Sequence, residues 1–195
     1  APGFHAEPIG GKLSMRASVQ AEIVLDGVRV GADALLPGSE RGLGAALQCL
    51  NEARFGIVWG VMGAARSCLD AAVDRSRSRV VFGKPIGAMQ LTQAKLADML
   101  LEYETGLLLA LHLGRRKEEG PLDPVQISVG KLGNVRAAQR IARTARTILG
   151  GDGVTDAFPV MRHIANLESV QTYEGTDEIH ALVIGRALTG ESAFA

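Results

Sequence analysis

Residues 43–77, LGAALQCLNEARFGIVWGVMGAARSCLDAAVDRSR, read as one long helix, and this reading decides the fold class. Small residues at Ala53, Gly56, Gly60, Gly63, Ala64, Ser67 and Ala71 follow helical spacing and mark a face that another backbone can approach closely. Glycine costs a helix about 1 kcal/mol relative to alanine, so three in one helix need a reason. Close helix-on-helix packing is the expected reason, with a ligand channel as the alternative.

Working outward, the chain downstream stays helical, from about Leu91 to Arg116 and from about Val125 to Leu149. A loop at Gly120-Pro121-Leu122-Asp123-Pro124 separates these two helices. A short helix near Pro159–Ile164 and a final helix after Thr176 complete an antiparallel bundle. Upstream, Lys12 to Pro37 read as β: Ala21–Leu25 runs into Asp26-Gly27, a hairpin signal, and then Val28-Arg29-Val30. Strands this few and short do not make a stable sheet unaided, so they read as the end of a larger β unit. The expected division is an incomplete β domain over 1–40 and a helical bundle over 41–195. The chain begins at Ala1 without a methionine, as a fragment or processed product would.

Bulk properties narrow the function. Twenty-one basic residues balance 21 acidic ones, which argues against a dedicated nucleic-acid or membrane-surface binder. Aromatic content is only 4%, so the core must come from aliphatic side chains and alanine. Cys49 and Cys68 sit on one helix about 28 Å apart by helical rise, too far to pair with each other. They read as buried thiols in a reducing compartment. No metal-ligand spacing is present, and no metal site is expected. Phe55–Ala65, the most apolar run, is too short to cross a bilayer.

The candidate catalytic group is Glu174, within Tyr173-Glu174-Gly175-Thr176. Thr176 suits the N-cap of the last helix, Asp177 and Glu178 suit its positive dipole end, and Gly190 suits its close. Glu174 therefore stands outside the helix, where a carboxylate can be partly desolvated with room for a substrate. Such burial favours a base that takes a proton from carbon. On these four residues alone, a surface glutamate beside a cap is the stronger reading.

Other segments are individually weak. Arg79-Val80-Val81-Phe82-Gly83-Lys84-Pro85-Ile86 gathers an arginine, an aromatic and a lysine around a turn, enough to grip a phosphate and stack on a ring. Interhelix loops are commonly basic without any ligand. Gly150-Gly151-Asp152-Gly153 follows a helix C-terminus, whose dipole repels phosphate, so a glycine cap is the first reading. Arg136, Arg140 and Arg143 form a basic stripe, read as a solvated or ion-paired face. Leu50-Asn51-Glu52-Ala53-Arg54 is either a local ion-pair network or a substrate-facing patch.

Taken in order along the chain, these motifs resemble the acyl-CoA dehydrogenase family, and within it the members that oxidise glutaryl-CoA. The resemblance runs from Lys12-Leu13-Ser14-Met15-Arg16-Ala17-Ser18 to the C-terminus. Its most specific parts are Leu50–Ile57 with Trp59-Gly60-Val61, Arg79–Ile86, Leu149–Gly153, and Thr172–Thr176 running into Ile179–Leu182. It implies a C-terminal four-helix bundle joined to part of a flavin-binding β domain, making this chain the C-terminal half of a longer enzyme. It implies that Glu174 removes the α-proton of an acyl-CoA while hydride leaves the β-carbon for FAD. Arg79, Phe82, Gln90 and the segment Thr147, Ile148, Leu149, Gly150 and Gly151 would hold FAD from a neighbouring subunit. Thr176, Glu178 and Phe194 would lie near the cofactor. Leu47, Gln48, Cys49, Leu50, Asn51, Glu52, Ala53 and Arg54, with Tyr173 and Gly175, would line the substrate. Thr147 and Glu178 stand where relatives often carry amides.

Glutaryl-CoA would give crotonyl-CoA and carbon dioxide, with electrons passing to an electron-transfer flavoprotein. A homotetramer built as a dimer of dimers follows from the same resemblance. So does a cytoplasmic setting in a bacterium or the mitochondrial matrix in a eukaryote. The rival readings are a dehydrogenase of another short or branched acyl-CoA, and a catalytically silent helical module.

Overall fold

The computed structural model describes residues 1–193. Five helices carry the fold: α1 (Leu43–Ser78), α2 (Gln90–Glu119), α3 (Pro124–Leu149), α4 (Val160–Thr172) and α5 (Asp177–Thr189). Ahead of them β1 (Phe4–Pro8) pairs antiparallel with β2 (Ala21–Leu25), Phe4 opposite Leu25 and Pro8 opposite Ala21. A second, minimal hairpin, β3 (Val80–Val81) with β4 (Lys84–Pro85), joins α1 to α2.

The expected mainly α bundle is present, centred on α3, which packs against α1, α2, α4 and α5. Its start is set chemically. Asp123 accepts a hydrogen bond from the Val125 amide at 2.6 Å, Gln126 reaches back to the Asp123 amide, and Pro124 takes the first helical position. Val135, Ala138, Ile141, Ala142 and Ala145 of α3 meet Val61, Met62, Ala65, Cys68 and Leu69 of α1, with Met99, Val160 and Leu167 closing the core. By length and composition α1 could cross a bilayer, at a mean hydropathy of 1.2, and one side of it, including Val61, Met62, Ala65, Cys68 and Leu69, packs into this core.

Four expectations change. Asp26-Gly27 does not close a hairpin onto residues 28–30; the Asp26 amide bonds back to Gly3 O, and β2 pairs with the upstream β1. The short fourth helix runs on to Thr172, because Leu167 and Val170 continue its buried stripe. Cys49 is exposed near the start of α1, and only Cys68 is buried.

The close approach expected at the α1 glycines lies elsewhere. Gly56, Gly60 and Gly63 face open space, whereas a Cβ at Gly106 of α2 would sit 2.5 Å from the Met62 sulfur and 3.0 Å from Asn134 Oδ1. At Gly130 of α3 it would strike Leu113 and Val58. Asn134, 1% exposed, occupies the three-helix junction these glycines create, donating from Nδ2 to Val58 O and Gly106 O at 2.9 Å each.

Candidate active site

Between α4 and α5 the chain makes a four-residue turn. Glu174 stands at φ +58° and Gly175 at φ +92°, and the Thr176 hydroxyl then caps α5 by accepting from the Ile179 amide. Left-handed backbone is unfavourable for a residue with a Cβ and persists only where its surroundings over-determine it. Here they do. Arg54 Nε donates to Glu174 O at 2.6 Å, and Lys131 Nζ donates to Tyr173 O and to Gly175 O, the latter at 2.6 Å. Arg54 also donates from Nη1 to Asn51 Oδ1 at 3.2 Å. Gly175 is needed for space as well as conformation: a Cβ there would lie 3.2 Å from His180 Nε2 and 3.4 Å from Arg54 Nη2.

The turn leaves two polar atoms out of solvent without a protein partner, Glu174 Oε2 and His180 Nε2. The other nitrogen of His180, Nδ1, pairs with Ser128 Oγ at 3.0 Å. Burial, reinforced by the Lys131 and Arg54 charges and opposed by the nearby Glu174 backbone and the Asp177 charge, pushes the His180 imidazole down to about 4, so the ring is neutral at physiological pH. Burial likewise pulls the Lys131 ammonium down to about 8, with Arg54 adding to the effect while Asp177 and Glu174 oppose it. The Tyr173 phenol is raised by burial and by the Glu174 charge.

Tyr173 separates two cavities. One, of about 460 Å³, runs along the small-residue face of α1, with Ala53, Gly56, Gly60 and Ala64 forming one wall and Asn166 and Val170 the other. The other, of about 720 Å³, opens toward the loop around Lys12, whose ammonium gathers Met15 O, Ser18 O and Gln20 Oε1. The open face of α1 is thus a groove, the alternative reading of its small residues. Of the stretch expected to line substrate, Ala53 faces this groove, while Leu47, Gln48 and Cys49 are exposed and Leu50 is half-buried. Glu52 points to α2, where it pairs with Lys117 at 2.6 Å, and Asn51 and Arg54 hold each other and the turn.

The residues expected to hold the cofactor gather at the far end of α1. Phe82, at the tip of the β3–β4 hairpin, is 93% exposed and sits at φ +53°. It borders a cavity of about 730 Å³ lined also by Lys84, Gln90, Thr147 and Ile148. An aromatic ring held in solvent on strained backbone, beside an amide and an ammonium, fits a planar ligand bearing phosphates. Arg79 is exposed at the hairpin base, where its carbonyl accepts from the Ile86 amide at 2.8 Å. Leu149 is buried in the core, while Gly150 and Gly151 are exposed and Gly150 caps α3 at φ +64°. Asp152 ion-pairs with Arg75.

Twenty-five residues of α1, about 37 Å, separate Arg54 from Arg79, so one chain does not bring its hairpin to its own Glu174. Near the turn, Glu178 is exposed with its carboxyl lowered by the Thr176 hydroxyl. Phe194 lies outside the described residues.

Residues 40–189 match the C-terminal domain of acyl-CoA dehydrogenases. The chain belongs to the acyl-CoA dehydrogenase family. Its fold superposes on glutaryl-CoA dehydrogenase from Mycobacterium smegmatis with a TM-score of 0.97 and 62% identity, over all of this chain and 50% of that one. A glutaryl-CoA dehydrogenase from the same organism, solved in complex with FADH2, is 58% identical with a TM-score of 0.96, again over 100% and 50% of the two chains. Among curated relatives, the short-chain specific acyl-CoA dehydrogenase of Megasphaera elsdenii is 33% identical over 96% of this chain and 49% of its own length. The chain thus spans about half the length of the relatives it matches. The family's enzymes are oxidoreductases that use FAD.

The arginine stripe is an ion-paired face: Arg136 with Asp177, Arg140 with Glu102 and Arg143 with Glu168. The sequence reading missed Ser128, Lys131 and His180 as site-builders. A signal existed: Ser128, Lys131 and Asn134 are polar residues three apart along α3, all buried within its apolar stripe.

Proposed function

We propose that this chain supplies the catalytic base, one wall of the substrate site and part of the cofactor site of an FAD-dependent acyl-CoA dehydrogenase acting on glutaryl-CoA. The observation that carries the reading is Glu174, whose Oε2 is out of solvent and unpartnered on a turn pinned at three consecutive carbonyls. A carboxylate so held can accept a proton from the carbon next to a thioester. FAD, when bound, supplies the acceptor for the β-hydrogen, taken as hydride. Ala53 and Tyr173, which line the groove along α1, would face the acyl chain, with Asn51 and Arg54 supporting the turn behind them, and Thr176 would approach the cofactor. Phe82, Gln90, Thr147, Ile148, Gly150 and Gly151 would serve the FAD of a neighbouring subunit in a tetramer, with Leu149 spent on the core, a reading supported by their distance from Glu174 along α1.

The much higher identity to glutaryl-CoA dehydrogenase than to the short-chain enzyme favours glutaryl-CoA. With that substrate Glu174 would take the α-proton, bound FAD would supply the acceptor for the β-hydrogen, and the distal carboxylate would leave as carbon dioxide. The carbanion left behind would take up a proton to give crotonyl-CoA, and an electron-transfer flavoprotein would receive the electrons.

The test uses the full-length, flavin-loaded protein assayed with glutaryl-CoA and butyryl-CoA. Glutaryl-CoA is expected to show the higher kcat/KM, with one carbon dioxide released per turnover. Glu174→Gln is expected to retain FAD and lose turnover. Faster oxidation of butyryl-CoA without carbon dioxide would assign the short-chain reading, and full turnover by Glu174→Gln would remove the base.

A further inference from the structure

Lys131 is the largest fully buried side chain among the described residues, 1% exposed, on the central helix α3. Lysine is almost never buried to this degree unless paired, because an ammonium stripped of water is expensive. Its hydrogen-bond partners here are not carboxylates. They are the carbonyls of Tyr173 and Gly175, which flank Glu174, and the Tyr173 ring lies 5.8 Å from the same nitrogen. Arg54 takes the carbonyl between them.

We propose that Lys131 is the positioning residue of the base: by clamping the carbonyls on either side of Glu174, it holds the left-handed turn that directs the Glu174 carboxylate. The assignment rests on the reading of Glu174 as the base. Three features support it. The clamp spans a non-glycine residue at φ +58°, a conformation that reverts unless enforced from outside. Its donor comes from α3, the element packed against every other helix, so the turn is referenced to the centre of the bundle. The charge is retained against burial that pulls its pKa to about 8, so these two bonds are kept where an apolar side chain would be easier to bury.

The experiment compares wild type, Lys131→Met and Glu174→Gln as full-length, flavin-loaded proteins. Two quantities are read: flavin bleaching on mixing with glutaryl-CoA or butyryl-CoA, whichever wild type oxidises faster, and amide exchange of the peptide spanning 172–177. Lys131→Met keeps the packing volume and removes the donors. It is expected to slow bleaching by roughly 30- to 100-fold, with half-saturation within about threefold of wild type, because a displaced base loses rate rather than binding. Exchange at 172–177 should rise about tenfold or more while the 55–65 segment of α1 is unchanged.

Bleaching within about threefold of wild type, or unchanged exchange at 172–177, overturns the proposal. Parallel loss of flavin and of substrate affinity also overturns it, by making Lys131 a general structural residue. A fully active Glu174→Gln would instead remove the base itself, a separate failure. Should Lys131→Met not fold, Lys131→Gln takes its place. Its amide is one bond too short to reach both carbonyls, and bleaching is expected to fall about tenfold, wild-type bleaching refuting the role.

Discussion

Replacing Asn134 by alanine tests how the three long helices are joined. The Asn134 amide lies at the α1–α2–α3 junction and donates to Val58 O and Gly106 O at 2.9 Å each. Both acceptors are helical carbonyls that keep their own intrahelical bonds, so Asn134→Ala removes two added bonds without orphaning either group. At about 1 kcal/mol net per bond, plus a small cavity in a site 1% exposed, the loss should be roughly 2–4 kcal/mol. Asn134→Asp should be worse at neutral pH, since a carboxylate would set buried negative charge against two carbonyl oxygens. Urea unfolding followed by far-ultraviolet circular dichroism measures both variants. Stability of Asn134→Ala within about 0.5 kcal/mol of wild type would refute the junction, as would an aspartate variant equal to the alanine one.

The neutral His180 gives an acid dependence: below pH 6.5 the unfolded chain takes up a proton that the folded chain refuses until about 4. Stability is then present above pH 6.5 and lost between 6.5 and 4, by up to ~3 kcal/mol, and His180→Gln should flatten that slope in urea midpoints; an identical slope would remove the histidine from the account. Iodoacetamide should modify exposed Cys49 in the native protein and spare Cys68, whose thiol burial pushes up to about 12, until the chain unfolds. Equal labelling of both in the native state, read by mass spectrometry, would contradict that burial.

The helices were legible because their ends carry local chemistry: Asp123-Pro124 opens α3, Thr176 opens α5 and Gly190 closes it at φ +79°. The α4 terminus was not, because what prolongs the helix past Ile164 is burial of Leu167 and Val170 against α1 and α3. The Asp26-Gly27 signal was half right. Gly27 does adopt φ +58°, but the partner of β2 lies in residues 4–8, a short segment that ends in proline and carries no β-branched residue.

At the site, a carboxylate between a helix end and a cap could be read locally. Its restraints could not, since Arg54 is 120 residues away and Lys131 arrives from another helix. The α1 glycines show the converse limit. Spacing identifies a smooth face, but only the neighbours reveal whether a helix or a groove lies against it.

The 36-residue α1 measures about 54 Å at 1.5 Å per residue, with Arg54 anchoring the Glu174 turn toward one end and the Phe82 hairpin leaving the other. It works as a ruler. No loop or proline interrupts the span between those two points, so neither can drift relative to the other without bending a continuous rod. Any assembly that joins the hairpin of one copy to the turn of another must therefore match a spacing cut in advance into each subunit, and a single inserted residue near its middle would throw the two ends about 100° out of phase.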